Sequence, residues 1–316
     1  VAVVGAAPVR HQRVEVDGVD VFYREAGPAE APVVLLPHGY PCSSFQYRNL
    51  MAALGDRWRL VAPDLPGFGY SATPDPAGFD YTFAGYGRFL RRFVDTLGLV
   101  RYAIYLHDYG SQHGFRLAMS APDRVAALIV QNGDIYRDEF GPKYAPLLRY
   151  WERPTPQGRA ELAGNVTEAG FRDEFLGELP ARLAGRVSPD LWTLAWAQLR
   201  TPPRPEILVG IFGDQANTLA DFAGMQAYLR EFRPPTLIVW GPHDGYMPAG
   251  AARAYLRDLP DAELHLLDGG HWALETNLDE IAALSRDFLD RVHPPATQPF
   301  RSAGADEGRP DPGGGG

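Results

Sequence analysis

The 316-residue chain reads as an α/β protein, with a mostly parallel central sheet, helices on both faces and a helical segment inserted near the middle. Three features carry that reading. Short runs such as Val33-Val34-Leu35-Leu36 are apolar at every position, as expected of a strand covered on both faces. Stretches with apolar residues at helical spacing separate these runs, and such alternation builds a parallel sheet flanked by helices. The alternation stops after Asn132 and resumes at Thr236.

The elements follow in order. His11–Asp17 and Val19–Glu25 alternate in polarity on either side of Asp17-Gly18, a hairpin turn signal. After the strand at 33–36, Ser43–Leu54 has helical character, and Arg59-Leu60-Val61-Ala62 is a second buried run. Tyr86, Leu90, Phe93, Val94 and Leu97 mark one face of a helix that Gly98 stops. A strand over Tyr102–Leu106, a helix from about Ser111 to Ser120 and a strand over Val125–Val130 complete a first core segment, residues 1–133. Residues 134–232 carry many aromatics and prolines, among them Trp151, Pro154, Trp192, Trp196 and Pro205, and no buried-strand run. They are expected to form a helical cap, with helices around Leu191–Leu199 and Phe222–Leu229. The core returns over 233–293 as a strand at Thr236–Trp240, a helix near Ala249–Leu256, a strand at Glu263–Leu267 and a helix at Leu278–Val292. Residues 294–316 have too little apolar content to offset the entropy of ordering, so a disordered tail is expected there.

Composition narrows the function. Thirty basic against 39 acidic side chains give a formal net charge of −9, which argues against a dedicated nucleic-acid binder. Cys42 is the only cysteine, so neither an internal disulfide nor a cysteine metal cage is available. No apolar run approaches the ~20 residues of a membrane span. Val1–Val9 is apolar but lacks the basic region of a secretory leader, and a cytoplasmic location is the expectation. His107 and His113 do not belong to an HExxH-like ligand set, and Gly67-Phe68-Gly69 lacks the third glycine of a dinucleotide loop. Neither a metal nor a cofactor is therefore expected. Lys143 is the only lysine among the 30 basic residues, which reads as compositional bias and not as a ligand signal. Cys42 follows Pro41 near a helix start, where a thiolate could be stabilised, but it reads as a small packing residue.

Four segments sit where strands end, the place at which open α/β sheets build sites. They are Pro37-His38-Gly39-Tyr40-Pro41, Leu106-His107-Asp108-Tyr109-Gly110-Ser111, Gly241-Pro242-His243-Asp244 and Gly269-Gly270-His271-Trp272. A sharp strand-to-helix turn lifts one side chain above the sheet and needs small neighbours. Gly110 supplies one after Asp108, whereas Leu106 stands where the strictest form of the turn has glycine. An Asp is ionised at neutral pH without help and can attack an electrophilic sp³ carbon to form an ester. Cleaving that ester needs a general base, for which His271 is the candidate, with Asp244 to orient its ring. Each residue has a plainer reading when taken alone: Asp108 as a helix N-cap, Asp244 as a turn former. His38, His107 and His243 are expected to hydrogen-bond locally.

Together with Asp64-Leu65-Pro66-Gly67-Phe68-Gly69-Tyr70-Ser71, these segments resemble the α/β-hydrolase superfamily. More narrowly, they resemble its branch with an Asp nucleophile, that of epoxide hydrolases and haloalkane dehalogenases. The similarity covers about residues 10–133 and 233–292, with a cap in the expected place. It implies an α/β-hydrolase fold with Asp108 as nucleophile, Asp244 as acid and His271 as base. It also implies backbone N–H donors from Tyr40 and Tyr109 for the oxyanion of ester hydrolysis. No Gly-x-Ser-x-Gly occurs, which argues against a Ser esterase, although Ser111 lies close to the turn.

The leaving group separates the two activities. Dehalogenases resembling this chain hold the halide with a Trp directly after the nucleophile and commonly an Asn in the His-Gly-Asn-Pro loop. Those positions are Tyr109 and Tyr40 here, and Tyr109 also departs from the Arg that fluoroacetate dehalogenases place after the nucleophile. Epoxide hydrolases instead supply tyrosines from the cap, whose hydroxyls bind and protonate the ring oxygen. Tyr150 is expected in that role, with Tyr228 second. Trp151 and the Trp192/Trp196 pair are expected to line the pocket or serve as halide donors. The reading is thus a hydrolase that opens a bulky, apolar or aromatic epoxide to a diol through an ester on Asp108. A haloalkane dehalogenase with the same triad and a non-catalytic hydrolase-fold binding protein are the alternatives. Oligomeric state is left open.

Overall fold

Residues 7–295 are described by the computed structural model, and one eight-stranded sheet runs through it in the order β1-β2-β4-β3-β5-β6-β7-β8. The strands are β1 (Arg10–Val16), β2 (Val19–Ala26), β3 (Val33–Leu35), β4 (Arg59–Pro63), β5 (Tyr102–His107), β6 (Val125–Gln131), β7 (Thr236–Trp240) and β8 (Glu263–Leu266). β1 and β2 pair antiparallel as the hairpin about Asp17-Gly18, β2 pairs antiparallel with β4, and every later pairing is parallel. Of the segment expected to be disordered, 294–316, the residues from 296 onward lie outside the described residues.

The apolar runs work because a strand sends alternate side chains to opposite faces. Tyr102, Ile104 and Leu106 of β5 enter one buried cluster, while Ala103 and Tyr105 enter another. Leu128 and Val130 of β6 and Ile238 and Trp240 of β7 join the first; Ala127, Ile129, Leu237 and Val239 join the second. Helices α1 (Arg48–Leu54), α11 (Ala273–Thr276) and α12 (Leu278–Val292) cover the second face through Leu50, Leu54, Leu274, Ile281 and Phe288. Helices α2 (Phe83–Thr96), α3 (Asp108–Ser120) and α10 (Ala249–Ala254) cover the first through Phe83, Leu90, Phe93, Phe115 and Ala251. Ser43–Leu54 is not one helix: a 3₁₀ turn, Ser44–Tyr47, precedes α1.

Between β6 and β7 there are only helices. These are α4 (Ala145–Glu152), α5 (Pro156–Ala163), α6 (Glu168–Leu176), α7 (Ala181–Ala184), α8 (Asp190–Leu199) and α9 (Arg204–Phe232). The short helical stretch expected at Phe222–Leu229 is the last part of α9, which is 29 residues long and ends at Arg233 with φ +44°. Its apolar residues are spread around the cylinder because α2, α3, α4 and α5 all pack against it, so no single periodic stripe marks its full length. At its start, Arg204 donates to the carbonyls of Gly69 and Ser71, at 2.9 Å each, and to Thr73 Oγ1 at 2.9 Å. Among the described residues no helix is long and apolar enough to cross a membrane.

The Asp64–Ser71 stretch has a structural explanation. Asp64 is fully buried and accepts the Ser44 N–H at 2.8 Å and the Tyr70 N–H at 2.8 Å, with Arg24 at 3.9 Å. It thereby ties the loop after β4 to the start of the 3₁₀ turn beside the strand ends. Gly69 is required there: its φ is +52°, and a Cβ would sit 2.0 Å from Asp64 Oδ2. Asp64→Ala would leave the buried Arg24 charge without its counter-ion and two amides without their acceptor, a loss of about 3–5 kcal/mol. Chemical denaturation checks this, and a change under about 1 kcal/mol would contradict it.

Candidate active site

Asp108 sits at the junction of β5 and α3 with φ +49°, a conformation that costs a non-glycine residue about 1–3 kcal/mol. Two glycines make room for it. A Cβ on Gly110 would lie 2.1 Å from the Pro37 carbonyl oxygen, and one on Gly39 would lie 2.4 Å from Asp108 Oδ1. Leu106 needs no such exemption, because its side chain points into the core below the turn. The Asp108 N–H donates to the Asn132 carbonyl at 3.0 Å, which anchors the turn to the end of β6. The result is a carboxylate at the first turn of a 13-residue helix, where backbone N–H groups favour negative charge.

The other strand ends bring it partners. The Tyr40 N–H donates to Asp108 Oδ1 at 2.6 Å, and the Tyr109 N–H also bonds the carboxylate and lowers its pKa. Gln46 Oε1 accepts the Gly39 N–H at 3.1 Å and so holds the loop that presents Tyr40. His271 places Nε2 3.4 Å from Asp108 Oδ2 and donates from Nδ1 to Asp244 Oδ2 at 2.7 Å. Asp244 also accepts the N–H groups of Tyr246 at 2.8 Å and Met247 at 3.0 Å, and Asn132 Nδ2 at 2.8 Å. The structure thus brings Asp108, Asp244, His271 and the amides of Tyr40 and Tyr109 into one cluster.

The charges in this cluster hold one another in place. Burial would raise both carboxyls, but hydrogen bonding and charge from His271 outweigh it and keep Asp108 and Asp244 below the ordinary range. Burial would likewise depress His271, yet Asp244 and Asp108 on its two sides push it up to about 10. The resting imidazole is therefore protonated at neutral pH. His107 beneath it is neutral: burial and the His271 charge push it down to about 3. His107 accepts from Gln46 Nε2 at 3.1 Å and donates to the His271 carbonyl at 3.0 Å, to which Gln131 Nε2 also donates at 3.0 Å. His38 bonds the adjacent Gly39 carbonyl but also accepts the Leu65 N–H at 3.0 Å, and His243 reaches Asp268 at 3.0 Å, so neither is confined to its own loop.

Above the cluster lies a cavity of ≈ 80 Å³. Tyr40, Tyr109, Tyr144 and Tyr246 line it together with Asp108 and His271, and Lys143, Glu174, Asn165 and Gln215 add polar wall. None of the three cap residues expected at the epoxide oxygen is there. Tyr150 is one helical turn, about 5.4 Å, past the Tyr144-Pro146-Leu147 end of α4 that reaches the cavity, and it lies against Gly158 and Gly213. Trp151 donates its indole N–H to the Phe212 carbonyl at 2.7 Å. Tyr228 stacks on Phe232 beside Tyr102, at the start of β5, six residues or about 20 Å of strand from Asp108. Trp192 and Trp196 pack on Phe175 and Phe171 and do not line the cavity. Ser111 donates to the Asp108 carbonyl at 2.6 Å and is fully buried, so it is not a nucleophile poised at the cavity. Cys42 is buried, and burial pushes its thiol up to about 12, so it packs and does not react.

Lys143, Glu174 and Tyr246 were not legible as site residues. The one available signal was that Lys143 is the sole lysine of the chain, and it lies in the cavity wall. Among the described residues no group of three or more His, Cys, Asp or Glu side chains could hold a metal ion.

Residues 32–278 match the family model described as alpha/beta hydrolase fold. A haloalkane dehalogenase 2 of Mycobacterium tuberculosis is 43% identical over 260 residues, covering 80% of this chain and 86% of its own. An uncharacterized hydrolase of Saccharomyces cerevisiae is 34% identical over 278 residues, covering 86% and 94%. The chain belongs to the α/β-hydrolase superfamily, in its Asp-nucleophile branch. An ancestral haloalkane dehalogenase of 26% identity superposes on this hydrolase with TM-score 0.73 over 89% of it and 99% of the other chain. An epoxide hydrolase of Vigna radiata, at 22% identity and TM-score 0.69 over 90% and 98%, shares the fold. The protein is a hydrolase of the epoxide hydrolase and haloalkane dehalogenase kind.

The charge cluster has a measurable signature in the free enzyme. Because the folded-state pKa of His271 is raised from 6.5 to about 10, its contribution to stability is fully present below pH 6.5 and lost as pH rises through about 10. Denaturant unfolding of the wild type should show that loss and His271→Gln should lack it. Equal pH dependence in both would remove the imidazolium from the cluster.

Proposed function

We propose that the chain is an epoxide hydrolase that acts on a small epoxide through an ester on Asp108. The observation that carries this choice is the wall of the cavity around Asp108. Four phenols line it and no indole does. An opening epoxide retains its oxygen and develops alkoxide charge, so it needs a donor that can also give up a proton, and a phenol can do both. The cavity also revises the substrate. Its ≈ 80 Å³ compares with about 150 Å³ for an engineered cavity that accepts benzene, because the tyrosines and Phe212 fill the space. This volume favours an epoxide of a few carbons over the bulky or aromatic one expected from the sequence.

The charge cluster supplies the order of events. Asp108 attacks as an ionised carboxylate while His271 is protonated between two anions. Esterification removes the Asp108 charge, and with it one of the two groups that raise the His271 pKa. The imidazole then releases its proton and becomes the neutral base that ester hydrolysis needs. Asp108 Oδ1, at the Tyr40 N–H, becomes the oxyanion site, and the Tyr109 N–H is the second donor. The helices between β6 and β7 act as the cap that closes the cavity over this chemistry.

A second reading, haloalkane dehalogenase, is favoured by the 43% identity to the Mycobacterium tuberculosis relative. Under it, amide N–H groups of Asn165 and Gln215 in the wall would receive the halide. Diol and halide release from small epoxides and haloalkanes separates the two, and halide release with no diol from any epoxide would decide for the second.

Asp108→Ala is expected to abolish turnover with an unchanged circular dichroism spectrum. His271→Gln is expected to accumulate an adduct heavier by one substrate in intact-mass spectra, since ring opening needs only the carboxylate whereas hydrolysis needs the base. In ¹⁸O-water, single-turnover label should appear in the Asp108 peptide. Turnover that leaves this peptide unlabelled would exclude the covalent route.

A further inference from the structure

Four tyrosines line the cavity, and their surroundings differ. Tyr109 donates its hydroxyl to Gln215 Oε1 at 3.0 Å, a neutral acceptor with no proton to return. Tyr246 donates to Glu174 Oε1 at 3.1 Å, the one carboxylate on the wall other than Asp108. Both members of that pair are positioned from outside. The Tyr246 N–H is bonded to Asp244 Oδ1 at 2.8 Å, so the phenol rides on the loop that orients His271. Glu174, from α6, has its backbone carbonyl held by the Trp272 indole N–H at 3.0 Å, next to His271 in the chain.

We propose that Glu174 and Tyr246 form the proton relay of ring opening, in which Tyr246 protonates the epoxide oxygen and Glu174 reprotonates Tyr246. This rests on the epoxide reading above and names the acid within it. With Glu174 protonated, its O–H donates to the Tyr246 oxygen, which turns the phenolic O–H toward the cavity. With Glu174 ionised, the phenol donates to the carboxylate instead, and its proton is withheld from substrate.

The neutral form is available near pH 7. Burial pushes Glu174 up to about 7, against the charges of Lys143 and His271 and the Tyr246 hydrogen bond. Asp108, Tyr40 and Tyr109 also face it across the cavity. Lys143 Nζ lies 3.8 Å from Glu174 and is shared with Asp173 at 3.2 Å and Glu178 at 3.3 Å, so its pull on Glu174 is diluted.

The protons balance over a cycle. A carboxylate oxygen of Asp108 bonds to the epoxide carbon as the C–O bond of the ring breaks. The ring oxygen takes the Tyr246 proton, Tyr246 takes the Glu174 proton, and Glu174 is left ionised. His271, no longer faced by the Asp108 anion, gives up one proton, and by way of water this replaces the one Glu174 lost. In hydrolysis His271 takes one proton from the attacking water, the hydroxyl so placed on the former ester carbon gives its remaining proton to the diol oxygen as that C–O bond breaks, and Asp108 is ionised again. The resting state returns with no net proton consumed.

The test isolates ring opening in the His271→Gln background, where the ester accumulates, and follows adduct formation from 1,2-epoxypropane by rapid quench and mass spectrometry across pH. Because this variant lacks the His271 charge that lowers both groups, Asp108 ionisation limits the rate on the acid side, and the rate is expected to fall tenfold per pH unit well to the alkaline side of neutrality, as the protonated fraction of Glu174 falls. Adding Glu174→Gln should remove that alkaline limb and slow adduct formation by about 10²–10⁴-fold, the range of general acid catalysis. Adding Tyr246→Phe should slow it comparably while leaving the fold and Glu174 in place. Adduct formation with an unchanged rate and pH profile in both variants would overturn the relay and leave the epoxide reading standing. Absence of adduct from 1,2-epoxypropane and other small epoxides, without Glu174 or Tyr246 altered, would overturn the epoxide reading and the relay with it.

Discussion

Two carboxylates lie buried within reach of one imidazole, whose charge joins the amides of Tyr40, Tyr109, Tyr246 and Met247 in keeping both ionised. That compensation decides the rest of the site. Without His271 at 3.4 Å and 2.7 Å, the burial of Asp108 and Asp244 would be opposed by their amide donors alone, and both carboxyls would titrate higher. Without the two anions, His271 would be a neutral buried ring, as His107 is directly below it. The surrounding contacts keep three charged groups in register. Asn132 bridges Asp108 and Asp244 by accepting the N–H of one through its carbonyl and donating to the other through its amide. Gln46 serves both the Gly39 loop and His107, and His107 with Gln131 holds the His271 backbone.

The same compensation gives the proposed chemistry its sequence. A group whose proton is held by two anions cannot act as a base until one anion disappears, and ester formation at Asp108 removes one. The base is thereby withheld during alkylation and released for hydrolysis, with no conformational change required. The strained φ of Asp108 belongs to this arrangement, since it aims the carboxylate at the Tyr40 amide and His271 together.

The helical insertion sets what can reach the cluster. Its contribution is a narrow, partly polar wall: Lys143 and Tyr144 from the segment leading into α4, Glu174 from α6, and Gln215 from α9. Arg204 and the Arg116–Asp221 pair fasten α9, which carries Phe212 and Gln215 of the wall, to the core at both the β4 loop and α3. Under the proposed function, this wall of phenols and charged side chains is what limits the substrate to small epoxides.

The sequence by itself determined the sheet, the helices that cover it and the loops that hold Asp108, Asp244 and His271. Those follow from local information: alternating or continuous apolar runs give strands, helical spacing gives faces, and glycine beside Asp108 permits a turn that other residues cannot make. Distance along the chain does not place Tyr150, Trp151 or Tyr228 in the wall, and nothing local ties Lys143 to it. Which side chains form the cavity wall was decided only by the tertiary structure. Lys143, Glu174 and Tyr246 come from three separate segments, and their meeting depends on how α4, α6 and the loop after β7 cross. Periodicity fixes which face of a helix is apolar, but not the angle at which helices pack or which turn of each reaches the cavity.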